Sequence, residues 1–372
     1  MKKILLLTFE YPVGKKYCGG VGQIVKQCRT VLLALGYKVY VLISSKFHEK
    51  HPIKLLHPDG SVVHYNNLFS FEKEYSWMGF DYIIQHFVNW TQQLRKIKNH
   101  KCPRPKIVYH FHSILRRERE SGFRTLNRFL LNQETMIEIA DKIICPSRYE
   151  YDNFCRYFSC FSEKLNLIEN TLETFPPQKD KIRNIMVKYG IKEDDIVSIY
   201  VGRLERIKGV ELIIKCLPQL LNRHKKLKIF IIGKTLEKDL YRKLMRVLRR
   251  FPRQLFYIRY LEKERLFQLY YLSHIYINPS LSESFSLATH ESALCNNTLL
   301  LNRLPVFDKF RNAALFFSSQ EANSNEFMSK FEYLIKHKKI RRKLSQKANR
   351  IAKEFLANNR LKKDLFNFLK SF

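Results

Sequence analysis

The sequence predicts an α/β protein of two doubly wound parallel-sheet units in tandem, facing a cleft. Three observations predict it. The chain opens on a strand, a glycine loop, a helix and a second strand, the start of a Rossmann-like sheet. A polar segment with adjacent prolines, Pro176 and Pro177, interrupts it near the middle. After that break the alternation of apolar runs and helical periodicity starts again. A chain of 372 residues gives each half enough length to bury its own core.

The elements follow in order. "KKILLLTFE" reads as a buried strand and "YPVGKKYCGGVG" as a loop. Apolar residues recur at helical spacing from Gln23 to Leu35, and Gly36 ends the run. "YKVYVLIS" is the second strand, with further strands at Tyr82–Ile84, Ile107–Phe111 and Lys142–Pro146. The segment Thr171–Asn184 is the expected linker. Beyond it come strands "IVSIYVG", "LKIFIIG", "LFYIRYL" and "HIYINPS", with helices between them. From Phe327 onward the chain reads as helical and basic, with Ile351, Phe355, Leu361, Leu365 and Phe368 as one apolar stripe. The expected division is 1–175, 176–350 and a C-terminal helix, 351–372, packing back toward the N-terminal domain.

Composition narrows the function. The net charge of +33 attracts anions such as phosphorylated ligands, acidic lipid headgroups or nucleic acid. The eight cysteines include no C-x-x-C pair and no zinc-finger spacing, so they read as reduced thiols of a cytosolic protein. No apolar run approaches the ~20 residues of a membrane-spanning helix. "MKKILLLTF" imitates the start of a signal peptide, but its run stops at Glu10 without a small-residue cleavage site.

Three stretches carry chemistry. In "VGRLERIKGVE" Gly202 lets the backbone turn off the sheet, Arg203 presents a planar fork of donors, and Lys208 adds a mobile cation. Gly209 opens a helix whose free N–H groups favour an anion, although a solvated basic loop reads the same way. "SLSESFSLATHESA" places Glu283 just before an expected helix start near Phe285, with Ser284 available as its cap, and Glu291 inside that helix. The N–H groups of Phe285, Ser286 and Leu287 are then open to a phosphate. The two acids suit sugar hydroxyls on either side of a diphosphate, or simply complement a helix dipole. "YCGGVGQ" offers Gly19 and Gly20 for close backbone approach at a helix start, or an ordinary tight turn.

"GRLERIKG" followed by "PSLSESFSLATHES" resembles the retaining glycosyltransferases of family four, which have the GT-B fold. The resemblance covers nearly the whole chain and is strongest from Val201 to Pro305. It implies that Arg203 and Lys208 bind the donor diphosphate, that Glu283 contacts the transferred sugar, and that Glu291 contacts the nucleotide ribose. It implies backbone donors at Phe285, Ser286 and Leu287. It also implies a glycine pair, Gly19 and Gly20, near the donor, and a histidine near the reacting sugar, which His112 in "KIVYHFHSILRRE" matches better than His110. Ser147 and Asn170 match further family positions.

Departures are local. Ser284 and Ser286 stand where glycines are usual, and neither is expected to need a positive φ. Asn296 stands at a glycine and suits a left-handed helix end. Tyr17 stands at the lysine of the K-x-G-G loop of glycogen and starch synthases, with Lys15 and Lys16 displaced, which argues against a polyglucan synthase.

The expected activity is transfer of a sugar from a nucleotide sugar to a glycan or lipid-linked acceptor in surface glycan synthesis. No cofactor and no metal are expected, because Arg203, Lys208 and two helix starts supply the positive charge. The basic stretches "TQQLRKIKNHKCPRPK" and "SILRRERESGFRTLNRF" suit an acidic membrane surface or a phosphorylated lipid-linked glycan, or are solvated helix faces. The expected location is cytoplasmic, with the inner membrane face within reach. Nucleic acid is disfavoured for want of a recognisable module. The rival readings are a nucleotide-sugar epimerase or phosphorylase-like enzyme of the same architecture, and a non-catalytic nucleotide-sugar-binding protein.

Overall fold

A computed structural model describes residues 1–12, 18–44, 53–56, 60–65, 68–100, 103–123, 125–318, 324–356 and 360–372. The chain divides into unit 1, Met1–Thr171 with Ala357–Phe372, and unit 2, Leu172–Leu356.

Unit 1 begins with β1 (Lys3–Thr8), α1 (Gly20–Ala34) and β2 (Lys38–Ile43). Next come β3 (Ile53–Leu56), β4 (Val62–Tyr65), α2 (Leu68–Glu74), β5 (Tyr82–Gln85) and α3 (Thr91–Lys98). They are followed by β6 (Lys106–His110), α4 (Leu115–Glu120), α5 (Asn127–Ile139), β7 (Lys142–Cys145), α6 (Arg148–Tyr157) and β8 (Leu165–Leu167). The strands form one eight-stranded sheet in the order β3-β4-β2-β1-β5-β6-β7-β8. Every pairing is parallel except β3 with β4 at the edge. That hairpin departs from the all-parallel expectation because a connection too short for a crossover helix must return antiparallel. Strands such as "ILLLT" are apolar throughout because helices cover both faces of a parallel sheet.

Unit 2 runs α7 (Lys179–Tyr189), β9 (Ile196–Val201), α8 (Val210–Arg223), β10 (Leu227–Ile232), α9 (Lys238–Arg250), β11 (Leu255–Ile258) and α10 (Lys263–Leu272). It continues β12 (Ile275–Asn278), α11 (Leu287–Leu294), β13 (Thr298–Asn302), β14 (Ala314–Phe317), α12 (Ser324–Lys336) and α13 (Lys338–Lys353). Its six strands are all parallel, in the order β11-β10-β9-β12-β13-β14. In each sheet the direction of winding reverses once, between β1 and β5 and between β9 and β12. Ligands of open α/β sheets bind beyond the carboxyl ends of the strands that flank such a reversal.

Several expectations need correction. Thr171–Asn184 is not a free linker: α7 starts at Lys179, and the Gln178 amide N–H donates to Gln268 Oε1 at 2.7 Å. Phe175 packs on Phe267 with ring centroids 5.4 Å apart, so the proline-bearing segment is part of unit 2. The units divide after Thr171 and Leu356 rather than after 175 and 350, because Leu172 pairs with Leu356 as an isolated β-bridge. The apolar stripe of 351–368 is split. Phe355 packs on Phe285 and His290 in unit 2. Leu361, Leu365 and Phe368 are buried in unit 1 on α14 (Arg360–Lys370). Strands β3, β4, β8, β13 and β14 go beyond those expected from the sequence. "TLLLN" and "ALFF" are too short for periodicity to separate strand from buried helix.

Candidate active site

The two sequence motifs of unit 2 lie beyond the carboxyl ends of β9 and β12, the neighbouring strands at the reversal. After β9 the chain turns at Gly202, whose N–H donates to Ile232 O at 2.9 Å. It then makes a short 3-10 turn, Arg206–Lys208, and enters α8 through Gly209 at φ +64. A Cβ on Gly209 would stand 1.9 Å from Pro279 O, so only glycine lets the two loops approach. The Leu281 N–H donates to Ile207 O at 2.8 Å and ties them together.

This contact brings Lys208 and Glu283 together. Lys208 Nζ donates to Glu283 Oε1 at 3.0 Å, and Ser280 Oγ donates to the same oxygen at 2.8 Å. Arg203 pairs with Glu205 at 3.1 Å and keeps its side chain 41% exposed. Glu291, on α11, is buried and ion-paired to Lys263 at the start of α10. Burial pushes the Glu291 carboxyl above its ordinary pKa, and Lys263 opposes that shift.

The helix start differs from expectation. The α11 helix begins at Leu287 rather than near Phe285, and Ser284 is not its cap. The N-cap position is Ser286, at φ 64 and ψ 76, a left-handed conformation that L residues rarely take. The expectation that Ser286 avoids a positive φ is therefore wrong, and the glycine usual there has a conformational reason. Serine is held in place by its hydroxyl, which bonds Asn278 Nδ2 at 3.1 Å and Thr289 Oγ1 at 2.8 Å. Asn278, the last residue of β12, also donates to Thr289 Oγ1 and accepts the Ser280 N–H, each at 3.0 Å. One strand-end amide thus organises the whole loop. Leu287 opens the helix, so its N–H and those of the next two residues precede the first intrahelical bond. Phe285 N lies before the helix. The Phe285 ring stacks on His290, centroids 4.2 Å apart and 5° from parallel. Burial lowers the His290 pKa to about 3. Asn296 takes φ 60 after the end of α11, as its expected role requires.

In unit 1, Gly19 is the N-cap position of α1 and Gly20 its first residue. The anion at this helix start is the protein's own: Glu10 accepts from Gly19 N and Gly22 N, each at 3.1 Å. A Cβ on Gly19 would meet Glu10 Oε1 at 2.7 Å, so the close approach that glycine permits here is to Glu10. Lys15, Lys16 and Tyr17 lie outside the described residues. His112 is half-buried two residues past β6, and its Nε2 is 3.2 Å from His86 Nδ1. Burial lowers the pKa of His112. His110 stacks on it, centroids 4.8 Å apart.

Ser147 caps α6, accepting the Glu150 N–H at 3.2 Å, and the Asn170 N–H donates to Pro146 O at 3.0 Å. The basic stretches of unit 1 are less open than their sequence suggests. Lys98 and Arg104 bond Asp141 at 2.7 and 2.8 Å. Arg117 is buried against Glu150 at 2.5 Å. Lys101, Cys102 and Arg124 lie outside the described residues.

Sequence reasoning misses Asn278, Lys263, Glu10 and His86. Only Glu10, an acid beside a glycine loop at a helix start, carries a local signal.

Two Rossmann-like units, with a paired acid–base set at the reversal of the second, define a protein of the GT-B class. The family signature described as "Glycosyl transferases group 1" matches residues 181–351, and that described as "Glycosyltransferase Family 4" matches 18–174. The chain belongs to this glycosyltransferase family. It is 25% identical over 222 residues to the O-antigen biosynthesis glycosyltransferase WclY of Escherichia coli, covering 59% of each chain. It is 23% identical over 166 residues to the glycosyltransferase MJ1607 of Methanocaldococcus jannaschii, covering 43% of this chain and 42% of that protein. The chain thus spans 59% and 42% of the lengths of these relatives. The fold matches sucrose-phosphate synthase of Thermosynechococcus elongatus with TM-score 0.81 at 16% identity, over 100% of this chain and 99% of that one. It matches Anabaena HepE, solved with UDP and glucose, with TM-score 0.74 at 17% identity over the whole of both chains. Among the described residues no helix is long and apolar enough to cross a membrane.

Proposed function

We propose that the protein is a retaining glycosyltransferase that moves a sugar from a nucleotide-diphosphate donor to a glycan or lipid-linked glycan in surface polysaccharide or glycoconjugate synthesis. The observation that carries this reading is the Lys208–Glu283 contact of 3.0 Å, which joins the two motif loops at the sheet reversal. A cation and a carboxylate held together, beside an arginine fork and a helix start, suit a ligand with a diphosphate next to hydroxyls. On donor binding Lys208 and Arg203 turn to the diphosphate, with the N–H groups at Ser286 and Leu287 as further donors. Glu283 then accepts from hydroxyls of the transferred sugar and Glu291 from the ribose. The positive groups stabilise the departing diphosphate without a divalent cation at that position. The acceptor hydroxyl attacks the face the phosphate leaves and gives its proton to a phosphate oxygen, so the anomeric configuration is kept. His112 lies near the reacting sugar in this reading. O-antigen synthesis by the Escherichia coli relative and UDP-glucose binding by HepE support the donor and acceptor classes.

The test incubates the purified full chain with UDP-, GDP- and ADP-sugars. Nucleotide release is followed with and without lipid-linked acceptors and with EDTA, and the product anomer is read by NMR. Acceptor-dependent, EDTA-resistant release with retained configuration is expected. Epimerisation without release, donor binding without turnover, or an inverted product overturns the reading.

A further inference from the structure

Cys28 on α1, His86 at the end of β5 and His110 at the end of β6 converge in the core of unit 1. Their ligating atoms lie within 4.8 Å of one another. All three are nearly inaccessible, at 3%, 0% and 3% exposure. Both ring nitrogens of His110 and the Nε2 of His86 are buried without a hydrogen-bond partner. Three unpaired nitrogens in one cluster are unusual, because a buried polar atom without a partner costs ~1–3 kcal/mol. The motif chemistry of the transferase uses none of these three side chains.

The geometry points to a buried site in which Cys28 Sγ, His86 Nε2 and one nitrogen of His110 bind a thiophilic d10 cation, Zn(II) or Cu(I). The donor set decides the class of metal: thiolate with imidazoles selects these ions over Mg(II), Mn(II) or Ca(II). Metal–sulfur and metal–nitrogen bonds of ~2.3 and ~2.0 Å require the ligand atoms to draw in by about 1 Å, a side-chain rotation rather than a backbone movement. Burial keeps both histidines neutral, the form that ligates. Binding exchanges the Cys28 thiol proton, released to solvent, for the cation. Cu(I) with one thiolate leaves the pocket neutral, whereas Zn(II) leaves one net positive charge.

The outer contact of the site has a consequence. His86 Nδ1 is the nitrogen 3.2 Å from His112 Nε2. With its Nε2 on a metal, His86 carries its proton on Nδ1 and donates it to His112, which sets the tautomer of His112. The cation is therefore a positioning group for that histidine and has no part in diphosphate departure.

The test uses the untagged full chain, since a histidine tag would bind the same ions. The chain is purified, stripped with a strong chelator under mild denaturation, refolded with Zn(II), Cu(I) or Co(II), and dialysed. Metal is counted by elemental mass spectrometry, and Co(II) reports a thiolate charge-transfer band. Near one equivalent, the band, and a metal-dependent rise in melting temperature are expected for the wild type. Cys28→Ser abolishes the band, and Cys28→Ser and His110→Asn each weaken binding at least about 100-fold. Cys160→Ser, at an exposed thiol, leaves both unchanged. Because the buried variants can misfold, the wild-type melt with and without metal stands as an independent reading. A folded wild type that takes up no cation, or variants that bind as the wild type does, overturns the inference. Preference for Cu(I) or Zn(II) in competition assigns the ion.

Discussion

Replacing Gly209 with alanine tests whether the two motif loops depend on a backbone contact. The new Cβ would lie 1.9 Å from Pro279 O, 2.6 Å from Pro279 C and 3.0 Å from Pro279 Cβ. All three atoms belong to one proline, and the Leu281 N–H bond to Ile207 O holds that loop close by. The substitution therefore forces the loops apart, an overpacking cost of ~1–3 kcal/mol. The φ of +64 adds ~1–2 kcal/mol for a left-handed alanine. Reduced freedom of the unfolded chain returns ~0.4–1 kcal/mol. The expected net loss is about 1–5 kcal/mol. Gly190→Ala is the control, because Gly190 has φ +59 at the end of α7 with open space around its missing Cβ. It carries the conformational cost alone, about 1 kcal/mol after the same offset. Urea unfolding of the full chain, followed by a probe in unit 2, measures both. Donor titration by calorimetry then asks whether Gly209→Ala also weakens nucleotide-sugar binding while Gly190→Ala does not. If the two variants lose equal stability, the contact with Pro279 is not a constraint and the account of why the loops meet fails.

Three further outcomes follow from the same site. Ser286→Gly should be more stable than Ser286→Ala by about 1 kcal/mol in urea unfolding, because both lose the bonds to Asn278 and Thr289 but only glycine relieves the left-handed φ. Lys263→Met strips the partner from buried Glu291 and should cost up to about 3 kcal/mol in thermal or urea unfolding, less than a fully buried pair because Lys263 is partly exposed. The buried His290 has a folded pKa of about 3 against an ordinary 6.5, so the unfolded chain takes up its proton first as pH falls. Its contribution is present above pH 6.5 and is lost at about 1.4 kcal/mol per pH unit down toward pH 3. His290→Asn, which can keep a donor toward Ser286 O, should flatten the stability–pH slope by that amount, and an unchanged slope would falsify the assignment.

Much of this is legible because particular residues carry position as well as chemistry. Gly202 and Gly209 bracket a basic loop after an apolar strand, and a chain-turn of that form is readable without a partner sequence. Glu283 and Lys208 each stand out in their own stretch, yet their contact follows only from β9 lying beside β12, which crossover topology decides. Lys263 shows the limit most clearly. It precedes Glu291 by a helix, a strand and a loop, and only the packing of α10 on α11 makes it the partner of that acid. Ser286 misleads because a serine carries no mark of positive φ; the structure shows its hydroxyl bonded to Asn278 and Thr289 in that conformation. The expected linker fails for a related reason. Prolines mark a break in regular structure, but Gln268 and Phe267 hold that irregular segment against unit 2.

The large positive charge acquires a narrower meaning once the site is seen. Arg203, Lys208 and Lys263 each pair with an acid, Glu205, Glu283 and Glu291 respectively. These three pairs are thus close to electroneutral, although the chain carries +33. The net charge therefore acts at long range, drawing anionic ligands toward the protein in a way that salt screens over ~8–10 Å. Under the proposed function, recognition would rest instead on exchange of partners: a ligand would offer phosphate to the cations and hydroxyls to the acids in the same step. A simple diphosphate satisfies the first half and leaves Glu283 without its lysine. A nucleotide sugar satisfies both, so raising ionic strength should slow its association more than it weakens its selectivity over inorganic diphosphate. Stopped-flow binding at two salt concentrations separates the two effects, and a selectivity that collapses with salt would mean that bulk charge, not partner exchange, chooses the donor.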